Sequence, residues 1–143
     1  MPENWCPLLN VKLLGRKPYD EVARYMAAMD VLIMPWNDSE WIKACNPIKL
    51  KEYLAVGRPV VTTDFPALGR YRELVRVARG PAAFAAAIRE ALTEPYDPDK
   101  ARNSVASEGW DAKASYLLEN LIEIAGEVAC GKPSGSIPRR SAA

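Results

Sequence analysis

Lys49 and Glu52 stand three residues apart in a segment running Asn46, Pro47, Ile48, Lys49, Leu50, Lys51, Glu52. Asn46 is a good helix N-cap, because its side-chain oxygen can accept an orphan N–H of the first turn. Pro47 suits the first helical position, where its fixed φ fits and its missing N–H costs nothing. Gly57 stands where a left-handed residue ends a helix, and Pro59 forbids continuation. The spacing predicts a helix over 47–56, with Leu50, Tyr53, Leu54 and Gly57 on one stripe. Lys49 and Glu52 then lie on neighbouring stripes, which leaves two readings. They are a surface i,i+3 ion pair, or they line a cleft at a helix amino end, where backbone N–H groups and the dipole favour an anion.

Composition narrows the rest of the chemistry. The 143 residues contain no histidine, which removes His-based triads, His general bases and His metal ligands. Carboxylates, lysine, arginine, hydroxyls and backbone dipoles remain. Nineteen basic and eighteen acidic residues give a net charge of +1 without long blocks of either sign. That balance argues against a nucleic-acid binder working by bulk charge. Cys6, Cys45 and Cys130 are odd in number and widely spaced, which fits a reducing compartment better than a disulfide framework. No apolar run approaches a membrane span and the amino end lacks a signal-peptide pattern, so a cytoplasmic location is expected.

The elements that must position Lys49 and Glu52 read as an α/β pattern. Residues 1–9 are expected to be an irregular lead-in, 10–130 a Rossmann-like domain and 131–143 a disordered Ser/Gly/Pro/Arg-rich tail. A strand is predicted at 11–14, followed by a turn with Arg16 and Lys17, whose bland reading is solvated loop charge. A helix over 19–29 carries Val22, Tyr25, Met26 and Met29 at helical spacing. The apolar run 31–35 predicts a strand buried on both faces, completing a right-handed βαβ unit with 11–14. A polar loop over 36–45 holds Trp36, Glu40 and Trp41. Ligands in open α/β sheets bind outside the carboxyl ends of strands, so this loop is placed beside a site. The β-branched run Val60, Val61, Thr62, Thr63 predicts a buried strand over 59–63. Beyond a cationic turn-like stretch over 65–72, a strand at 74–78 is expected, and its Arg76 suggests an edge position. Helices are expected at 81–93, 98–107 and 110–128. Arg16, Lys17, Glu40 and Thr63 are candidate cleft-lining residues.

Four pieces of the chain together resemble the C-terminal half of GT-B fold glycosyltransferases, close to the large retaining family numbered four. They are Asn10 to Gly15 with Pro18 to Val22, Asp30 to Pro35, Asn46 to Val61, and Trp110 with Asp111 before a long helix. The third piece is the specific one. The resemblance implies transfer of a sugar from a nucleotide-diphosphate-sugar donor, without a metal or other cofactor. It implies that the diphosphate rests on the amino-terminal amides around Asn46, Pro47, Ile48 and Lys49, and that Glu52 binds the ribose hydroxyls. Lys49 would neutralise phosphate charge as the glycosidic bond loosens. The sugar or glycolipid acceptor would be bound by an N-terminal domain upstream, with peripheral membrane association of the full-length protein. Many members carry an earlier glutamate with seven residues between it and the later one. That position is Ala44 here, and Glu40 is the nearest acid. The family's first two C-domain strands also lie upstream of this chain and would separate 11–14 from 31–35. The competing expectation is a non-catalytic, flavodoxin-like α/β module, or an inactive glycosyltransferase fragment. The module would show four adjacent parallel strands around a closed core, and a fragment would show an exposed apolar sheet edge.

Overall fold

The computed structural model describes residues 10–129; the expectations for 1–9, for 131–143 and for Cys6 and Cys130 lie outside them. Helix α1 (Tyr19–Ala27) leads to strand β1 (Leu32–Met34), followed by a short helix α2 (Glu40–Ala44) and helix α3 (Ile48–Val56). Strand β2 (Val60–Thr62), a 3-10 segment kinked at Gly69 (Pro66–Leu74) and strand β3 (Arg76–Val77) come next. Helices α4 (Pro81–Thr93) and α5 (Pro98–Val105), a 3-10 turn (Ala106–Glu108) and helix α6 (Trp110–Ala129) complete the order.

The three strands form a parallel sheet in the order β1-β2-β3, with Leu32 opposite Val60, Met34 opposite Thr62 and Val61 opposite Arg76. This is the expected α/β architecture, a parallel sheet flanked by helices. Strand β2 is central and buried throughout, as its β-branched run requires. Met34, Leu50, Leu54, Phe65, Leu68, Ala101 and Val105 pack together as the main core. A second, smaller core joins Val61 and Ala78 to Ala87 and Ala91 of α4. The Thr62 hydroxyl is fully buried and donates to the Met34 carbonyl at 3.0 Å, which ties the two strands where they end.

Local signals explain the boundaries. Gly57 ends α3 with φ +75°, a left-handed conformation that side chains with a Cβ resist. Asp97 caps α5 by accepting from the N–H groups of Asp99 and Lys100 at 3.0 and 3.1 Å. Helix α3 begins one residue later than expected. Pro47 is its N-cap, in an extended conformation without a side-chain cap, and Asn46 lies one position outside.

The strand expected at 11–14 is not formed. Val11, Leu13 and Leu14 lie exposed without regular structure, and β1 pairs only with β2 among the described residues. A strand exists through its neighbour, and three to four apolar residues without a pairing edge do not hold extended structure. The βαβ unit with 11–14 is therefore missing as well, and the parallel connection runs from β1 through α2 and α3 to β2. The loop over 36–45 is partly helical, because Ser39 caps α2 by accepting from the Ile42 N–H at 3.4 Å. The outer edge of β1 stays open. Ile33, on the face opposite Leu32 and Met34, is 46 % exposed.

Candidate functional site

The structure brings Lys49 and Glu52 together at the amino end of α3. Lys49 Nζ lies 2.5 Å from Glu52 Oε2, and the Tyr19 hydroxyl of α1 donates to Glu52 Oε1 at 3.2 Å. The Glu52 carboxylate is mostly screened from solvent, while the Lys49 ammonium is half exposed. The Leu50 N–H turns back to the Pro47 carbonyl at 3.2 Å. The Ile48 and Lys49 N–H groups belong to the first turn, where no intrahelical acceptor exists. Pro47 is buried, whereas Asn46 and Ile48 are exposed. This helix end thus offers two amide donors and a half-exposed ammonium, with the carboxylate paired to that ammonium one turn on. Burial pushes the Tyr53 hydroxyl up, with Lys49 working against that shift and Glu52 adding to it.

Glu52 also borders an apolar groove of about 380 Å³ between α1 and α3, walled by Tyr19, Val22, Met26, Ala55 and Val56. Tyr19 is 79 % exposed and its ring is accessible above the groove.

The other expected cleft residues are arranged differently. Lys17 sits over the Tyr25 ring at 5.1 Å, and Arg16 is exposed in the lead to α1. Glu40 pairs with Lys43 at 2.7 Å on the solvent side of α2, so its carboxylate serves that helix. The Thr63 hydroxyl donates to the Trp36 carbonyl at 3.0 Å, bridging the carboxyl ends of β1 and β2. Trp36 and Trp41 meet edge to face at 6.1 Å, Trp36 packing on the core and Trp41 remaining exposed. Among the described residues no group of three His, Cys, Asp or Glu side chains gathers as metal ligands.

Sequence reasoning missed a charged knot at the carboxyl edge of the sheet. Asp64, just past β2, accepts from both Arg72 terminal nitrogens at 2.6 and 3.1 Å and from Arg79 at 3.2 Å. These three residues border an open cavity of about 510 Å³ with Asn37 and Lys43. The hydrogen bonds from Arg72 and Arg79 hold the Asp64 carboxyl down at about 2. A carboxylate depressed in the folded state stabilises the fold above its unfolded pKa and loses that contribution as pH falls. Acid titration of the chain should therefore show stability lost between about pH 4 and pH 2, and Asp64→Asn should flatten that part of the profile. Chemical denaturation at stepped pH would show it. The sequence signal was Asp64's place after a strand end, beside two arginines with no marked spacing.

The sequence profile of the family described as glycosyl transferases group 1 matches residues 4–94. The chain belongs to the group 1 glycosyltransferases. A Bacillus subtilis (strain 168) protein named for teichuronic acid biosynthesis, glycosyltransferase TuaH, is 32 % identical over 119 residues. That match covers 78 % of this chain and 30 % of the relative, so the chain spans under a third of the relative's length. No solved structure matches the chain. The expectation of a GT-B-type, family-four-like transferase sequence is met, and the three-stranded parallel sheet with its helices is the piece of Rossmann-like domain which that family implies. No helix of the described residues is long and apolar enough to cross a membrane.

Proposed function

We propose that this group 1 glycosyltransferase sequence binds the nucleotide-diphosphate part of a sugar donor at the amino end of α3. The observation that carries the reading is the pairing of Lys49 with Glu52 in the first turns of α3, beside amides that have no intrahelical acceptor. A diphosphate placed there draws on the Ile48 and Lys49 N–H groups and the positive end of the helix dipole. Lys49 leaves Glu52 to meet phosphate oxygen, and its charge stabilises the diphosphate as the bond to the sugar breaks. Glu52, released by Lys49, accepts hydrogen bonds from the ribose hydroxyls. The base rests toward the groove between α1 and α3, where the exposed Tyr19 ring offers a stacking face.

In this reading the protein transfers a hexosyl unit with retention and without a metal or other cofactor. The acceptor is a sugar or glycolipid held by a domain outside this chain, at the cytoplasmic side and in peripheral contact with a membrane. The unpaired β1 edge supports a sheet that continues into further strands, and the exposed Ile33 supports another element covering that face, which favours this reading over a self-contained flavodoxin-like module.

The ribose contact gives the test. Calorimetric titration of the full-length protein with uridine and guanosine diphosphates should identify the tighter nucleotide. Its 2′-deoxy analogue should bind about tenfold more weakly, the value of one charge-assisted hydrogen bond. Glu52→Ala should weaken the ribonucleotide and erase the difference between the two. Equal preference for ribose in wild type and Glu52→Ala would overturn the assignment.

A further inference from the structure

On the side of α3 away from Lys49 and Glu52, one carboxylate gathers most of the nearby charge. Glu108, in the 3-10 turn before α6, accepts from Lys51 Nζ of α3 at 2.9 Å. Its other oxygen takes the Arg70 guanidinium and the Tyr71 hydroxyl, the latter at 3.3 Å. Lys113 of α6 approaches at 3.5 Å. Arg70 also donates to the Tyr71 hydroxyl at 2.9 Å, so the group is a closed network. The Lys51 and Glu108 side chains are only 19 and 21 % exposed, so both partners are shielded, whereas in the Lys49–Glu52 and Arg102–Asp99 pairs the cation is more than two-fifths exposed. The hydrogen bond from Lys51, followed by the charges of Lys51, Arg70 and Lys113, holds the Glu108 carboxyl below its ordinary range.

We propose that Glu108 is a positioning residue for the donor site. It fixes the rotation of α3 about its own axis through Lys51. At about 100° per residue, Lys51 lies about 130° from the direction midway between Lys49 and Glu52. Pinning Lys51 toward Glu108 therefore keeps Lys49 and Glu52 on the side of α3 that faces away from that network. The 3-10 segment carrying Arg70 and the start of α6 are tied to the same carboxylate, so three elements share one anchor for the helix. A second grip acts at the far end of α3, where Arg102 of α5 donates to the Val56 carbonyl at 3.2 Å. Helix α3 is thus held near its middle by the turn that follows α5 and at its carboxyl end by α5. This inference rests on Lys49 and Glu52 being the donor ligands.

The test uses uridine and guanosine diphosphates as probes, titrated calorimetrically against the full-length protein. Glu108→Gln and Lys51→Met should each raise the dissociation constant about tenfold, and the double variant should lose little more than either alone, because the two side chains act on α3 through one contact. In a background carrying both Lys49→Ala and Glu52→Ala, Glu108→Gln should add little, because its effect is spent through the two residues it aligns. Lys51→Met leaves Arg70 and Lys113 on Glu108, so it reads the α3 arm alone if Glu108→Gln fails to fold. Folded Glu108→Gln or Lys51→Met protein with wild-type affinity, beside a weakened Lys49→Ala, would overturn the positioning role. So would a Glu108→Gln effect of equal size with and without the Lys49 and Glu52 side chains. If Lys49→Ala and Glu52→Ala themselves bind as wild type, the donor-site reading falls instead.

Discussion

Leu54→Ala is expected to destabilise the chain by about 3 kcal/mol, the cost of losing buried methyl groups and leaving a cavity behind. Leu54 has no exposed surface and shares a core with Leu50 of its own helix, with Phe65 and Leu68 at the start of the 3-10 segment, and with Ala101 and Val105 of α5. None of these can close the space alone, since each is fixed by its own element, so the cavity cost adds to the transfer cost and the loss falls within the usual range of about 2–5 kcal/mol. Leu117 of α6 supplies the control. It is 59 % exposed, and Leu117→Ala should change stability by less than about 0.5 kcal/mol. Urea unfolding of both variants checks the contrast, with the midpoint moving and the slope constant for Leu54→Ala. Similar small shifts for both would mean that α3 is not the centre of the packing.

Gly57→Ala should cost about 2 kcal/mol for a different reason. At φ +75° the left-handed backbone alone penalises a Cβ by about 1–2 kcal/mol. The added atom would also stand 2.8 Å from Arg102 Nε, inside any real contact distance. That guanidinium is the flexible end of a side chain and can move, but moving gives up its bond to the Val56 carbonyl, worth about 1 kcal/mol. The two contributions separate in a double mutant. In an Arg102→Ala background the glycine substitution should keep its backbone cost and lose the remainder. Thermal unfolding of the four proteins reads both terms, and a fully additive result would exclude the steric one.

What was legible in the sequence was local. Pro47 and Gly57 bracket α3 within one residue of its observed start, because a fixed φ and a left-handed glycine act without help from distant chain. The β-branched run at Val60 to Thr62 needed only burial to become the central strand. The Lys49–Glu52 pair followed from helical spacing alone. Val11 to Leu14 shows the opposite case, since apolar alternation cannot supply the neighbour that a strand requires. Helix α2 was hidden inside a polar loop, although Ser39 was a usable start signal. Asp64 with Arg72 and Arg79, and Glu108 with Lys51, were out of reach. Their partners meet only after three elements have folded, across separations of up to 57 residues.

The direct test of the donor site is the affinity of the full-length protein for uridine and guanosine diphosphates before and after Lys49→Ala. If the diphosphate lies on the amino end of α3, removing that ammonium should weaken the tighter nucleotide by at least about tenfold, the lower range for a hydrogen bond to a charged group. The unmodified nucleoside, which carries no phosphate, should bind both proteins alike. Equal diphosphate affinity in wild type and Lys49→Ala would contradict the account.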